Sequence, residues 1–188
     1  MTSMHPDLIE TLREAQRFGF FGDRDIVAAA AHASTFVEAI GVLPAGARLL
    51  DLGSGGGLPG LVVADAFPQV SVVLLDRRQK RTDFLERAVR RLGWSHVAVL
   101  TADARRVCDQ VATGEIDAFD VVTARGFGPP EFTLRVATAT CRAGGTIVIS
   151  EPPSGDRWPP DLLEELGLDS DRVGPVRRFV RRLGPLDR

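Results

Sequence analysis

A glycine-rich turn fastened to an acidic strand end constrains this chain more than any other feature. It lies in Arg48-Leu-Leu-Asp-Leu-Gly-Ser-Gly-Gly-Gly-Leu-Pro-Gly60, where an apolar run meets Asp51 and opens at once into glycines. Gly53, Gly55 and Gly57 lack the side chains that would hold a ligand away from the backbone. They also permit the positive φ that a tight strand-to-helix turn requires. A second apolar run, Val70-Ser-Val-Val-Leu-Leu75, ends in another carboxylate, Asp76, 25 positions after Asp51. Two acidic strand ends flanking one glycine turn describe a nucleoside-binding crevice.

The rest of the chain repeats this strand–helix alternation, which predicts an α/β fold: a parallel sheet with helices on both faces. Helical patterns span about Pro6–Phe18 and Asp25–Ile40. Buried-strand patterns follow near Arg48–Leu52, Val70–Leu75, Val97–Leu100, Phe119–Thr123 and Thr146–Ser150. Between them lie helical patterns near Leu58–Phe67, Lys80–Leu92, Ala104–Val111 and Pro130–Cys141. A breaker-rich loop, Glu151–Pro160, leads to a short helix over Asp161–Leu166. The arginine-rich end, Val173–Leu183, can pair on itself around Gly174-Pro175, bringing the strand count to seven. The 188 residues fit one domain. It divides into N-terminal helices (1–44), a cofactor-binding core (45–151) and a C-terminal helix with antiparallel strands (152–188).

The ligand of the turn follows from charge. Gly55-Gly-Gly57-Leu-Pro-Gly60 satisfies the dinucleotide pattern G-x-G-x-x-G, but Asp51 sits where a carboxylate would repel a pyrophosphate. Pro59 brings no N–H to a phosphate cradle, and few residues remain for a separate substrate domain. The Walker pattern is absent. S-adenosylmethionine carries no phosphate: its ammonium suits Asp51 and strand-end carbonyls, and its carboxylate suits glycine N–H groups. Asp76 is placed to accept both ribose hydroxyls or to cap the following helix. Asp103, after the third strand, is placed to meet an adenine amino group or to cap the helix beginning near Ala104.

Composition narrows the classes further. A formal net charge of −2 gives no global positive field, so any RNA contact must come from local basic patches. Candidates are Arg77-Arg78, Lys80-Arg81, Arg87, Arg90-Arg91, Arg177-Arg178 and Arg181-Arg182, each also explicable as a solvated face. Cys108 and Cys141 show no CxxC spacing, and His5, His32 and His96 are scattered. They read as plain thiols and isolated imidazoles, with no metal site expected. No signal-like segment and no long apolar run occurs, which places the expected protein in the cytoplasm with no membrane partner.

Taken together, Leu50-Asp-Leu-Gly-Ser-Gly-Gly-Gly-Leu-Pro-Gly60, Leu74-Leu-Asp76 with Lys80-Arg81 and Phe84-Leu85, and Thr123-Ala-Arg125 resemble the ribosomal RNA small-subunit methyltransferase G family, also called glucose-inhibited division protein B. The resemblance spans about Arg48 to Ser150. It implies a Rossmann-like class I S-adenosylmethionine-dependent methyltransferase with a mostly parallel seven-stranded sheet. It implies that Gly53, Leu58, Ala104, Arg105 and Arg125 touch the cofactor, and that the acceptor is N7 of a guanine in 16S rRNA or a small-subunit assembly intermediate. The chain departs from the family in three places. His32-Ala-Ser-Thr-Phe36 stands for H-x-x-D-S, Asp103-Ala-Arg105 replaces R-[AV]-E, and Ser150-Glu151-Pro-Pro replaces a Lys-Gly, removing a phosphate contact.

Guanine N7 has a free lone pair, so methylating it requires no general base. The chain has no tyrosine and no convincing base arrangement, and no catalytic residue is assigned. Catalysis would rest on in-line positioning at about 3–3.5 Å with water excluded. Arg125, ending the fourth strand, is suited to the cofactor, to guanine O6 or to a structural ion pair. Phe127 and Trp158 are candidates to stack on a base or to anchor loops. Two other functions compete: a methyltransferase for a small molecule, and a non-catalytic S-adenosylmethionine-binding module.

Overall fold

The computed structural model describes residues 5–152 and 157–184. The expected loop over Glu151–Pro160 therefore lies partly outside the described residues. In chain order the elements are α1 (Leu8–Arg17), α2 (Ile26–Ile40), β1 (Arg48–Leu52), α3 (Gly60–Ala66), β2 (Ser71–Asp76), α4 (Gln79–Arg91) and β3 (Val97–Thr101). They continue with α5 (Ala104–Ala112), β4 (Phe119–Ala124), α6 (Pro130–Thr140), β5 (Cys141–Ser150), α7 (Pro160–Glu165), β6 (Leu168–Val173) and β7 (Val176–Arg181). The strands form one sheet in the order β3-β2-β1-β4-β5-β7-β6. From β3 to β5 neighbours are parallel; β7 joins β5, and β6 joins β7, antiparallel.

Side-chain alternation along each strand sends residues to two separate cores. Leu49, Val72, Leu74, Val121 and Val148 pack with α1 to α4. Leu50, Leu52, Leu75, Val122, Ile147 and Ile149 pack with α5, α6 and α7. Because both faces are covered, the central strands are nearly continuous apolar runs. Asp51 and Thr123 interrupt the first face, buried and adjacent in the paired β1 and β4.

Local signals set the helix ends. Asp25 caps α2 by accepting from the Val27 and Ala28 amides, and Gly41 at φ 75° ends it. Helix α4 buries Thr82, Phe84, Leu85, Ala88 and Val89. From its outer edge Arg91 reaches Glu14 and Thr11, tying α4 to α1.

Two elements differ from the sequence expectation. Strand β5 begins at Cys141 rather than Thr146, directly after α6, and its first pair is Phe119 with Cys141 across a register shift. The Gly144-Gly145 step permits that irregularity where a glycine pair reads as a turn. The C-terminal hairpin does turn at Gly174-Pro175, but β6 starts at Leu168. As the sheet's edge strand it carries Asp169, Asp171 and Arg172 outward, so its sequence lacks an apolar run.

Candidate functional site

The chain runs from β1 outward to β3 and then returns across β1 to β4, so the sheet's switch point lies between β1 and β4. Ligands of open α/β sheets bind outside the carboxyl strand ends at such a point. A cleft of about 330 Å³ opens at the carboxyl ends of β1 to β4. Gly53 forms part of its floor and Asp76 one wall. The segment Ala102–Arg105 and the loop Gly126–Pro129 close the other sides.

The turn is built around close approaches. Gly53, Gly55 and Gly57 have φ of 69°, 57° and 102°. A β-carbon on Gly53 would lie 2.8 Å from Cδ2 of Phe127, whose ring covers the turn. One on Gly56 would lie 2.6 Å from Phe21. The segment between α1 and α2 therefore packs on the glycine turn, a contact that the sequence alone did not indicate. Its aromatic pair, Phe20-Phe21, was the available signal.

Asp76 is buried at the cleft wall. Its Oδ2 accepts from the Gly55 amide at 3.0 Å and faces Arg81 Nη1 at 3.4 Å, while Oδ1 accepts from the Arg78 amide at 2.9 Å. It braces the glycine turn rather than capping α4, whose N-cap is Arg78. Asp103 both caps α5, through the Arg105 amide, and borders the cleft. Its carboxyl is held below the usual range by the Arg105 side-chain and amide hydrogen bonds. Ala104 and Arg105 line the same wall.

Four expected site residues do not line the cleft: Arg125, just after β4, and three that lie at or behind the glycine turn. Leu58 is in the core under the turn. Gly55 faces Asp76 rather than the opening. Asp51 is fully buried and accepts from Thr123 Oγ1 at 2.7 Å, while its Oδ2 has no hydrogen-bond partner. Burial pushes its pKa up to about 6 against the opposing pull of Thr123 and Ser54.

Arg125 directly follows β4 and is half-buried, and its Nη1 has no hydrogen-bond partner. Burial, then the nearby charge of Arg24, lowers its pKa; Arg125 in turn adds to the burial that lowers His32. Arg125 makes no salt bridge among the described residues, so the spot is electrostatically ready for an anion. The cleft thus offers a carboxylate beside a glycine turn and a set of arginines, Arg77, Arg78, Arg81 and Arg105, whereas Arg125, with its orphaned Nη1, is not among the residues that line it. This combination fits a zwitterionic nucleoside such as S-adenosylmethionine. Among the described residues no group of three His, Cys, Asp or Glu is placed to hold a metal ion, and no helix is long and apolar enough to cross a membrane.

Of the two loop aromatics, Phe127 lines the cleft, whereas Trp158 is buried edge-on against Phe179 with ring centroids 5.1 Å apart. The basic clusters separate as well. Arg178 pairs with Asp171, Arg182 with Glu164 and Asp169, and Arg181 with the Thr138 and Cys141 carbonyls. Arg77, Arg78 and Lys80 are exposed beside the cleft without a salt bridge among the described residues, and Lys80 lies 6.0 Å from the Phe20 ring centroid.

Strand order, glycine turn and cleft together define a class, the Rossmann-like fold of class I S-adenosylmethionine-dependent methyltransferases. The likeness extends to an O-methyltransferase family protein from Burkholderia thailandensis, with a TM-score of 0.61 at 18% identity over 96% of this chain and 68% of that one. The chain belongs to the rRNA small subunit methyltransferase G family, whose sequence model it matches over residues 16–151. It is 30% identical over 136 residues to the ribosomal RNA small subunit methyltransferase G of Thermotoga neapolitana, covering 72% of this chain and 58% of that protein. It is 36% identical over 131 residues to the protein of the same name from Sorangium cellulosum, covering 69% of this chain and 52% of that protein. The chain thus spans little more than half the length of these curated relatives.

Proposed function

We propose that this protein transfers a methyl group from S-adenosylmethionine to N7 of a guanine in 16S rRNA. The observation that carries the reading is the cleft at the switch point, where the family's glycine turn meets Asp76. When bound, the cofactor supplies an electrophilic methyl group on a cationic sulfur. In this reading Asp76 receives the ribose hydroxyls, and Gly53 lets the ligand approach the backbone. Asp103, Ala104 and Arg105 border the adenine, and Arg125 holds the methionine carboxylate. Asp51, Gly55 and Leu58 act from behind by keeping the turn in shape. Phe127 and the loop around it exclude water from the reacting atoms.

The exposed Arg77, Arg78 and Lys80 beside the cleft suit a phosphate backbone. Tritium transfer from S-adenosylmethionine into 16S rRNA, followed by mass mapping of the product nucleoside, tests the reading. Incorporation as 7-methylguanosine supports it. Unlabelled RNA at every assembly stage, with cofactor binding intact, rejects it.

One observation favours a second reading. The C-terminal arginines are engaged in internal pairs, which removes much of the basic surface expected for RNA. A small-molecule acceptor would then replace RNA, and RNA binding that weakens with salt in the counterion-release manner would rule this out.

A further inference from the structure

A second cavity, of about 180 Å³, adjoins the cofactor cleft, and the two share Gly126, Phe127 and Gly128 as a common wall. It lies at the carboxyl ends of β4 and β5, beside the N-terminal turn of α6. Its rim, at Gly126, Gly128 and Pro152, is exposed, but its inner wall holds two buried polar side chains, Thr133 and Glu151. The Glu151 side chain is 1% exposed; its Oε1 accepts from the Trp158 indole N–H and faces Arg157 Nε at 3.4 Å. Arg157 Nε makes no hydrogen bond, and the buried Thr133 Oγ1 has no partner. An unmatched hydroxyl and guanidine N–H around a buried carboxylate are costly in an empty pocket and useful in a filled one.

We propose that this cavity is the acceptor-base pocket and that Glu151 selects guanine by its Watson–Crick edge. The inference rests on the methyltransferase reading above. A carboxylate matches two adjacent donors, and guanine presents them as N1–H and N2–H₂. Adenine offers an acceptor at N1, and cytosine one at N3, each of which would oppose the carboxylate. Arg157 Nε–H is then placed to donate to O6. Enzymes that modify bases read them in such pockets, by this edge and by stacking on aromatic rings, and here Phe127 and Trp158 line the walls.

Gripping that edge leaves the opposite side of the purine, with N7, turned toward the shared wall and the cofactor cleft. The N7 lone pair forms the new N–CH₃ bond, the S–CH₃ bonding pair stays on sulfur, and the positive charge passes from sulfur to the purine ring. No proton moves. Charge arriving on the ring strengthens the N1–H···carboxylate hydrogen bond, so Glu151 binds the transition state more tightly than the ground state. The buried Glu151 carboxylate thereby acquires a role suited to a cationic product.

Two measurements test this. With S-adenosylhomocysteine present and Trp94→Phe as background, Trp158 fluorescence is titrated with the 5′-monophosphates of guanosine, inosine and adenosine. Guanosine monophosphate is expected to bind at least tenfold tighter than the adenosine form, with inosine between. Glu151→Gln, which keeps an acceptor for Trp158, should erase that order and lower kcat on RNA about 100-fold with a smaller change in KM. Thr133→Val provides a variant that leaves the ion pair untouched and should weaken guanosine monophosphate several-fold. Equal binding of the three nucleotides, no saturable signal, or an unchanged Glu151→Gln profile would overturn the proposal. Calorimetry with S-adenosylmethionine separates the two ideas: a silent cofactor titration defeats the methyltransferase reading, whereas bound cofactor without guanine preference defeats only this one.

Discussion

Gly60 and Asp51 compete for one space: a β-carbon on residue 60 would lie 2.5 Å from Asp51 Oδ2 and 2.6 Å from Leu74 Cδ2. The first residue of α3 thus sits directly on the buried carboxylate of β1. Gly60→Ala is expected to destabilise the protein by about 2–3 kcal/mol, because neither the strand nor the core leucine has room to retreat. Urea unfolding would show this as a lower midpoint with an unchanged m-value.

Asp51 also governs the pH response. Its folded pKa of about 6 exceeds the unfolded value near 3.8, so the folded state binds the extra proton between those two values. The resulting penalty is fully present above pH 6 and is relieved as pH falls toward 4, amounting to about 3 kcal/mol. Asp51→Asn keeps an acceptor for Thr123 and removes the ionisation. It should therefore be more stable than the parent at pH 7.5, with the advantage vanishing near pH 4. A carboxyl ¹³C titration of Asp51 centred near pH 4 would contradict this.

Arg125 predicts a trade between stability and binding. A half-buried guanidinium with an unpartnered Nη1 weakens the unliganded fold. Arg125→Met should raise the unfolding temperature while lowering affinity for S-adenosylmethionine about tenfold or more. Thermal melts and calorimetry on the same preparation check both halves; equal affinity would remove Arg125 from the carboxylate site.

If RNA is the acceptor, the exposed basic residues beside the cleft carry its backbone. Replacing Arg78 and Lys80 with alanine should reduce the slope of log affinity against log salt by about one per lost phosphate contact. Arg178→Ala should leave that slope unchanged, since its guanidinium already pairs with Asp171 at 2.8 Å.

The fold was legible where burial is two-sided. Strands β1, β2 and β4 read as apolar runs within a residue or two of their ends, because both faces of the central sheet are covered; β3, a largely exposed edge strand, was legible only from its own run Val97-Ala-Val-Leu100. The sequence hid β6, whose outward charges belong to a sheet edge, and the first residues of β5, whose glycines accommodate an irregular register. Part of the cleft was legible in Gly53 of the glycine turn and in the strand end at Asp76, whereas most of its lining comes from the start of α4, Ala102–Arg105 and Gly126–Phe132, which only the packing brings together. The second cavity was not, since Thr133 in α6 and Glu151 and Arg157 in the loop after β5 acquire meaning only once packed.

The three residues Gly126, Phe127 and Gly128 line both cavities. A displacement of the Phe127 ring that enlarges one chamber therefore redraws the boundary of the other. If both chambers take a ligand as proposed, their affinities are linked reciprocally through the position of that one ring.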